Sequence, residues 1–219
     1  MIQGMIFDFD GTLFDSMFIW DTAGETYLRS IGKAPAENLQ TVLKPMSLYQ
    51  SAVYLKEQYS IPLSVEDIMS GVNRTVEAFY LDMVLPKPGV VELLEALCRK
   101  GVSMCIATAT ERYQVEAALE RCGMRQFFSE IFTCTEVGSG KDQPFIFRKA
   151  MEHLQTDRSN TVVVEDAWHA IRTAKDDGFL VAAVYDAHES MQRSIREAAD
   201  VYLTDFSDTE TFWKFASAE

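Results

Sequence analysis

An α/β fold, with a mostly parallel sheet covered on both faces and a helical insertion, is predicted by three features of this chain. Short, continuously apolar runs recur along it, as strands buried on both faces require. Helix-period segments separate most of these runs, as crossover connections between parallel strands require. One long stretch after the first run shows helical periodicity and no convincing strand.

The first run, residues 3 to 9, reads as a strand ending in Phe7-Asp8-Phe9-Asp10-Gly11-Thr12. Helical spacing follows at 17–31, 48–59 and 65–81. Ser64 is placed to cap the last of these, with Asp67 three residues on in a capping-box position. Leu85-Pro86-Lys87-Pro88-Gly89 breaks the pattern, and Pro88 suits the first turn of a helix over 89–100. Strand and helix then alternate. Strands are predicted at 102–107, 131–134, 161–164, 180–184 and 201–203. Helices are predicted at 111–121, 144–154, 167–177, 190–199 and 208–215. The expected division is a core of residues 1–16 and 85–219, with 17–84 as the inserted helical segment.

Composition narrows the function. The 219 residues are 47% hydrophobic, enough for one full core and a smaller subdomain. A formal net charge of -13 disfavours nucleic acid and anionic membranes as partners. Local lysines and helix N-termini still allow a small anionic ligand. Cys98, Cys105, Cys122 and Cys134 form no CxxC pair and read as buried free thiols. Neither a signal peptide nor a membrane span is recognised, so a cytoplasmic protein is expected, monomeric or weakly dimeric.

Four polar signals stand at strand ends or in the loops beyond them, where open parallel sheets bind ligands. Asp8 and Asp10 can leave the same side of their segment, and Gly11 permits a tight turn. They read either as turn aspartates or as a nucleophilic carboxylate with an acid–base partner, which suits phosphoryl transfer. Thr108 reads as a strand residue, a helix cap, or a hydroxyl donor to a phosphoryl oxygen, with Thr110 able to share these roles. Lys141 follows Gly138-Ser139-Gly140 and would neutralise carboxylates around a transferring phosphoryl group. Glu165 and Asp166 end another strand and suit helix capping or Mg2+ ligation. His153, His169 and His188 lack metal-ligand spacing, and no GxxxxGK[ST] loop or nucleophile elbow is present.

With these residues in this order, the chain resembles the haloacid dehalogenase-like hydrolase superfamily, in the branch of β-phosphoglucomutase and phosphoglycolate phosphatase. The resemblance implies a Rossmann-like core and a helical cap of the C1 type over 17–84. It implies Asp8 as phosphoryl-accepting nucleophile and Asp10 as general acid and base, with its backbone carbonyl on Mg2+. It also implies Thr108 and Lys141 as phosphoryl-binding residues, and Asp166, with Glu165 beside it, at the Mg2+ site. The expected activity is Mg2+-dependent hydrolysis of a small phosphorylated metabolite through an aspartyl phosphate. A phosphosugar mutase and a noncatalytic phosphate-binding protein are the alternatives. Asp10 speaks against dehalogenation, and Trp20, where the mutase has a histidine, speaks against the mutase. Lys44, Lys56, Asn73 and Arg74 are polar candidates for substrate selection in the insertion. Phe18, Trp20, Phe79 and Tyr80 are expected mainly to pack its core. The Gly140-Lys141-Asp142-Gln143-Pro144-Phe145 run departs from the family's Gly-Lys-Pro-x-Pro-Asp, and Glu165-Asp166-Ala167 from its Glu-Asp-Ser.

Overall fold

Six parallel strands form one sheet in the order β3-β2-β1-β4-β5-β6 in a computed structural model, which describes residues 2–43, 46 and 48–217. The strands are β1 (Gly4–Phe7), β2 (Ser103–Thr108), β3 (Ile131–Thr133), β4 (Thr161–Glu165), β5 (Leu180–Val184) and β6 (Val201–Leu203). Every ladder between neighbours is parallel. The α/β, mostly parallel architecture read from the apolar runs is therefore the fold. All four residues of β1 are buried, which explains the absence of polar alternation.

β1 lies between β2 and β4, and Phe7 sits opposite both Ile106 and Val164. The segments beyond these three strands consequently start side by side. Ile6, Cys105, Val163 and Val181 bury one face of the sheet with Ile146, Phe147, Ala150, Ile171 and Ala174. The latter residues come from α8 (Phe145–Leu154) and α9 (Trp168–Asp176). Met5 and Phe7 alternate onto the other face, where the Phe7 ring meets Phe128 edge-on at 5.9 Å. Helices α5 (Val90–Arg99), α6 (Arg112–Arg121), α10 (Gln192–Ala198) and α11 (Thr209–Ala216) complete this part of the chain.

The chain divides into two compact units, Met1–Asp15 with Val84–Glu219, and Ser16–Met83. The second is entirely helical among its described residues. It contains α1 (Trp20–Ser30), α2 (Leu39–Leu43), α3 (Leu48–Gln58) and α4 (Val65–Asp82). Tyr27, Leu28, Leu55, Ile68, Val72 and Tyr80 build its core. The Trp20 indole N–H donates to the Tyr80 hydroxyl at 3.0 Å. The Ser64 hydroxyl accepts from the Asp67 N–H at 3.0 Å and caps α4. Lys56 donates to the Leu63 carbonyl, and Arg74 Nε to the Ser70 carbonyl at 3.3 Å. Lys44 lies outside the described residues.

Several local expectations are corrected. Phe18 is exposed rather than buried, and it packs edge-on against Phe79 at a centroid distance of 5.2 Å. Cys98 is exposed, Cys122 and Cys134 are partly buried, and only Cys105, inside β2, is fully buried. Pro88 precedes α5 instead of occupying its first turn. Gly89 is the N-cap at φ +78°, and a Cβ there would lie 2.4 Å from the backbone of Phe206 and Ser207. Asp166 does not cap α9, whose N-cap is Ala167; the Glu189 carboxylate instead accepts the first helical N–H, from Trp168, at 3.0 Å. Helix α2 and the single-turn α7 (Cys134–Val137) went unpredicted because each is too short to show a period.

Candidate active site

The segment after β1 folds back on itself at once. Gly11, at φ +71°, lets the Phe14 N–H reach the Phe9 carbonyl at 2.9 Å and the Gly11 N–H reach the Phe14 carbonyl at 3.0 Å. Phe9 and Phe14 stack at 4.4 Å and anchor the turn in the core. The chain then pairs with residues 85–87, through Asp15 N–H to Leu85 and Lys87 N–H to Leu13. Asp8 is held beside β4 by its N–H, which donates to the Val164 carbonyl at 2.9 Å.

Lys141 arrives from the other side of β1. Thr133 ends β3 and caps α7 by accepting the Glu136 N–H at 3.1 Å. Gly138 closes α7 in the left-handed region, and Lys141 follows before α8 begins. Arg112 at the start of α6 donates to Glu136 at 2.6 Å and to Glu130 at 3.0 Å, bracing this connection. The buried Lys141 ammonium donates to Asp8 Oδ1 and, at 2.7 Å, to Glu165 Oε1. Glu165 Oε2 accepts the N–H groups of Asp166 and Ala167, both at 3.0 Å. The Thr12 hydroxyl donates to Asp166 Oδ1 at 2.9 Å.

Asp8, Glu165 and Asp166 thus form a buried acidic cluster, each offering an oxygen within 4.8 Å of the others. Burial pushes Asp8 up to about 8, reinforced by Glu165 and Asp10 and opposed by Lys141. Burial also raises Asp166, with Glu165, Asp8 and Asp186 adding to the effect and the Thr12 hydrogen bond opposing it. Burial works against the Lys141 charge, but Asp8 and Glu165 outweigh it and hold the ammonium above its ordinary range. One lysine does not offset three buried carboxylates. This excess of negative charge, with oxygen donors alone, suits a hard divalent cation.

Asp10 belongs to a second, linked group. The Thr110 hydroxyl donates to Asp10 Oδ2, and the Thr108 hydroxyl oxygen accepts the Thr110 N–H at 3.0 Å. Asp8, Asp10, Thr108, Lys141, Glu165 and Asp166 therefore each enter one of two short networks around the ends of β1, β2 and β4. Two of the histidines have partners elsewhere: His153 meets Ser129, and His188 meets Asp186.

A buried ion pair beside the site had no sequence signal. Lys87 donates to Asp186 Oδ2 at 2.9 Å and to the Tyr185 carbonyl at 2.8 Å. Asp186 Oδ1 also accepts the His188 N–H at 2.9 Å. Lys87→Met will leave Asp186 buried without its cation and cost about 3–5 kcal/mol in urea unfolding. The double variant Lys87→Met/Asp186→Leu will recover most of that loss.

The turn after β1, the lysine beyond β3 and the acidic end of β4 thus meet in one buried cluster. The family model for haloacid dehalogenase-like hydrolases matches residues 5–184, and the chain belongs to that family. It is therefore an enzyme of the hydrolase class. A phosphorylated carbohydrates phosphatase of Thermotoga maritima is 26% identical over 204 residues, covering 92% of this chain and 94% of that protein. A mitochondrial (DL)-glycerol-3-phosphatase of Arabidopsis thaliana is 27% identical, over 94% of this chain and 71% of that protein. Among solved structures, CbbY from Rhodobacter sphaeroides in complex with phosphate superposes with a TM-score of 0.80 at 23% identity, over 95% of this chain and 96% of that one. Among the described residues, no helix is long and apolar enough to cross a membrane.

Proposed function

We propose that this protein is a Mg2+-dependent phosphatase of a small phosphorylated metabolite, working through an aspartyl phosphate on Asp8. The observation that carries the reading is the Asp8 carboxylate held by Lys141 and bordered by Asp166, with Asp10 two residues away. An Asp8 oxygen attacks phosphorus, and the bond from phosphorus to the ester oxygen breaks. Asp10 gives its proton to the departing oxygen, then takes one from the water that hydrolyses the acyl phosphate and frees Asp8. Lys141 and the Thr108 hydroxyl hold the phosphoryl oxygens as charge redistributes.

The carboxylates of Asp8 and Asp166 and the backbone carbonyl of Asp10 would hold the divalent cation. That ion supplies positive charge against the phosphoryl oxygens and the acidic cluster. Glu165 has one oxygen on Lys141 and the other on two backbone N–H groups. We therefore assign it to fixing Lys141 and the Asp166 turn rather than to the metal.

The helical unit Ser16–Met83 is inserted between the first acidic pair and Thr108. That position in the chain corresponds to a C1 cap, and we assign it to substrate selection. Relatives named for phosphorylated carbohydrates and glycerol 3-phosphate make phosphorylated sugars and polyols the first class to test. The test is phosphate release from such a panel with and without Mg2+. Mg2+-dependent release supports the reading. Isomer formation without phosphate release would replace it with a mutase, and binding without turnover would replace it with a phosphate-binding role.

A further inference from the structure

We propose that Thr110 is a positioning residue for Asp10, tying the acid–base carboxylate to the hydroxyl that holds the phosphoryl group. The inference deepens the phosphatase reading and rests on it. Asp10 lies beyond the end of β1, in an isolated β-bridge with Phe14, and is only partly buried. Thr110 reaches it from 100 residues away and donates its hydroxyl to Oδ2. Thr110 is itself well fixed. It is 8% exposed, it is β-branched and stiff at χ1, and its N–H is bonded to Thr108 Oγ1 at 3.0 Å.

Helix capping does not account for the Thr110 hydroxyl. The N-cap of α6 is Glu111, and no side chain caps that end. The hydroxyl is instead directed to a carboxylate on another strand end. The second link is of a different kind. The Thr108 oxygen accepts the Thr110 N–H, which leaves its own proton available to donate. Because the link to Thr108 is made by the Thr110 backbone N–H, removing the Thr110 hydroxyl leaves the phosphoryl-holding group in place and affects the leaving-group acid. Thr110 keeps its own proton throughout. The proton that moves passes from the Asp10 carboxyl to the departing alkoxide oxygen as the phosphorus–oxygen bond breaks.

The test compares kcat/KM, which reports steps up to loss of the alcohol, for two leaving groups. Glycerol 3-phosphate needs a proton on its departing oxygen, whereas 2,4-dinitrophenyl phosphate does not. Thr110→Val will lower kcat/KM about 10–100-fold on the alkyl ester and less than about 3-fold on the aryl ester. Thr110→Ser, which retains the hydroxyl, will restore the alkyl ester rate to within about 3-fold. Asp10→Asn will show the same split with a larger loss. If Thr110→Val does not fold, Thr110→Ala carries the same comparison.

Equal losses on both esters, or no loss on either, would overturn the role of Thr110. So would a leaving-group split in Asp10→Asn that no Thr110 variant shares. Failure of the underlying phosphatase reading looks different. Wild type would then release phosphate from neither ester, or Asp8→Asn would keep wild-type turnover.

Discussion

Replacing Asp8 with asparagine will reduce turnover by about 10^4-fold or more while leaving the protein folded. The amide keeps the size of the side chain but is a poor nucleophile and cannot form the acyl phosphate. Stability will move in the opposite direction in the absence of metal. Burial, Glu165 and Asp10 hold the Asp8 carboxyl up near 8, so its ionised form is disfavoured in the folded chain. The sign follows from linkage. The folded state retains a proton that the unfolded chain loses near pH 4, so stability falls as pH rises from about 4 through about 8. Asp8→Asn removes that loss. In chelator at pH 7.5 its Tm will exceed that of wild type, by about 2–4 °C for each kcal/mol relieved. At pH 4 the difference will nearly vanish. Thermal unfolding at the two pH values, beside a turnover assay, checks both halves. A variant that is equally inactive but less stable at pH 7.5 would identify Asp8 as a structural residue instead.

Chelation of divalent metal will abolish activity, and Mg2+ will restore it with an affinity that climbs with pH. Asp8 and Asp166 are both held above their ordinary carboxyl range, so at lower pH a cation must displace protons to bind. Binding will therefore be accompanied by proton release, and affinity will rise until the pH passes about 8. Calorimetry in buffers of different ionisation enthalpy measures the released protons directly. Asp166→Ala will weaken Mg2+ binding more than it weakens phosphate binding. An affinity that is flat between pH 6 and pH 8 would contradict this account of the cluster.

The sheet was legible because its strands are short, apolar on both faces and separated by helices, the pattern of a doubly covered parallel sheet. Its strand order was not, since parallel pairing leaves no mark on local periodicity. Ends of elements were misplaced where a single backbone conformation decides them. At Gly89, close approach to Phe206 and a left-handed φ, rather than the neighbouring Pro88, mark the start of α5.

The acidic residues drew attention because carboxylates at the ends of buried strands need compensation. Their division of labour was less legible. Glu165 and Asp166 are adjacent and of the same charge, yet one is occupied by Lys141 and two N–H groups while the other meets Thr12. Thr110 was visible only as a second threonine near a strand end. Its contact with Asp10 spans 100 residues, and the Lys87–Asp186 pair spans 99. Such partners are joined by topology alone.

The most direct measurement is acid-quenched turnover of a phosphate-labelled substrate, followed by mapping of the labelled peptide. The account predicts transient, hydroxylamine-sensitive label on Asp8 in wild type and none in Asp8→Asn. Mg2+-dependent phosphate release without label on Asp8, or with undiminished turnover in Asp8→Asn, would contradict the covalent mechanism.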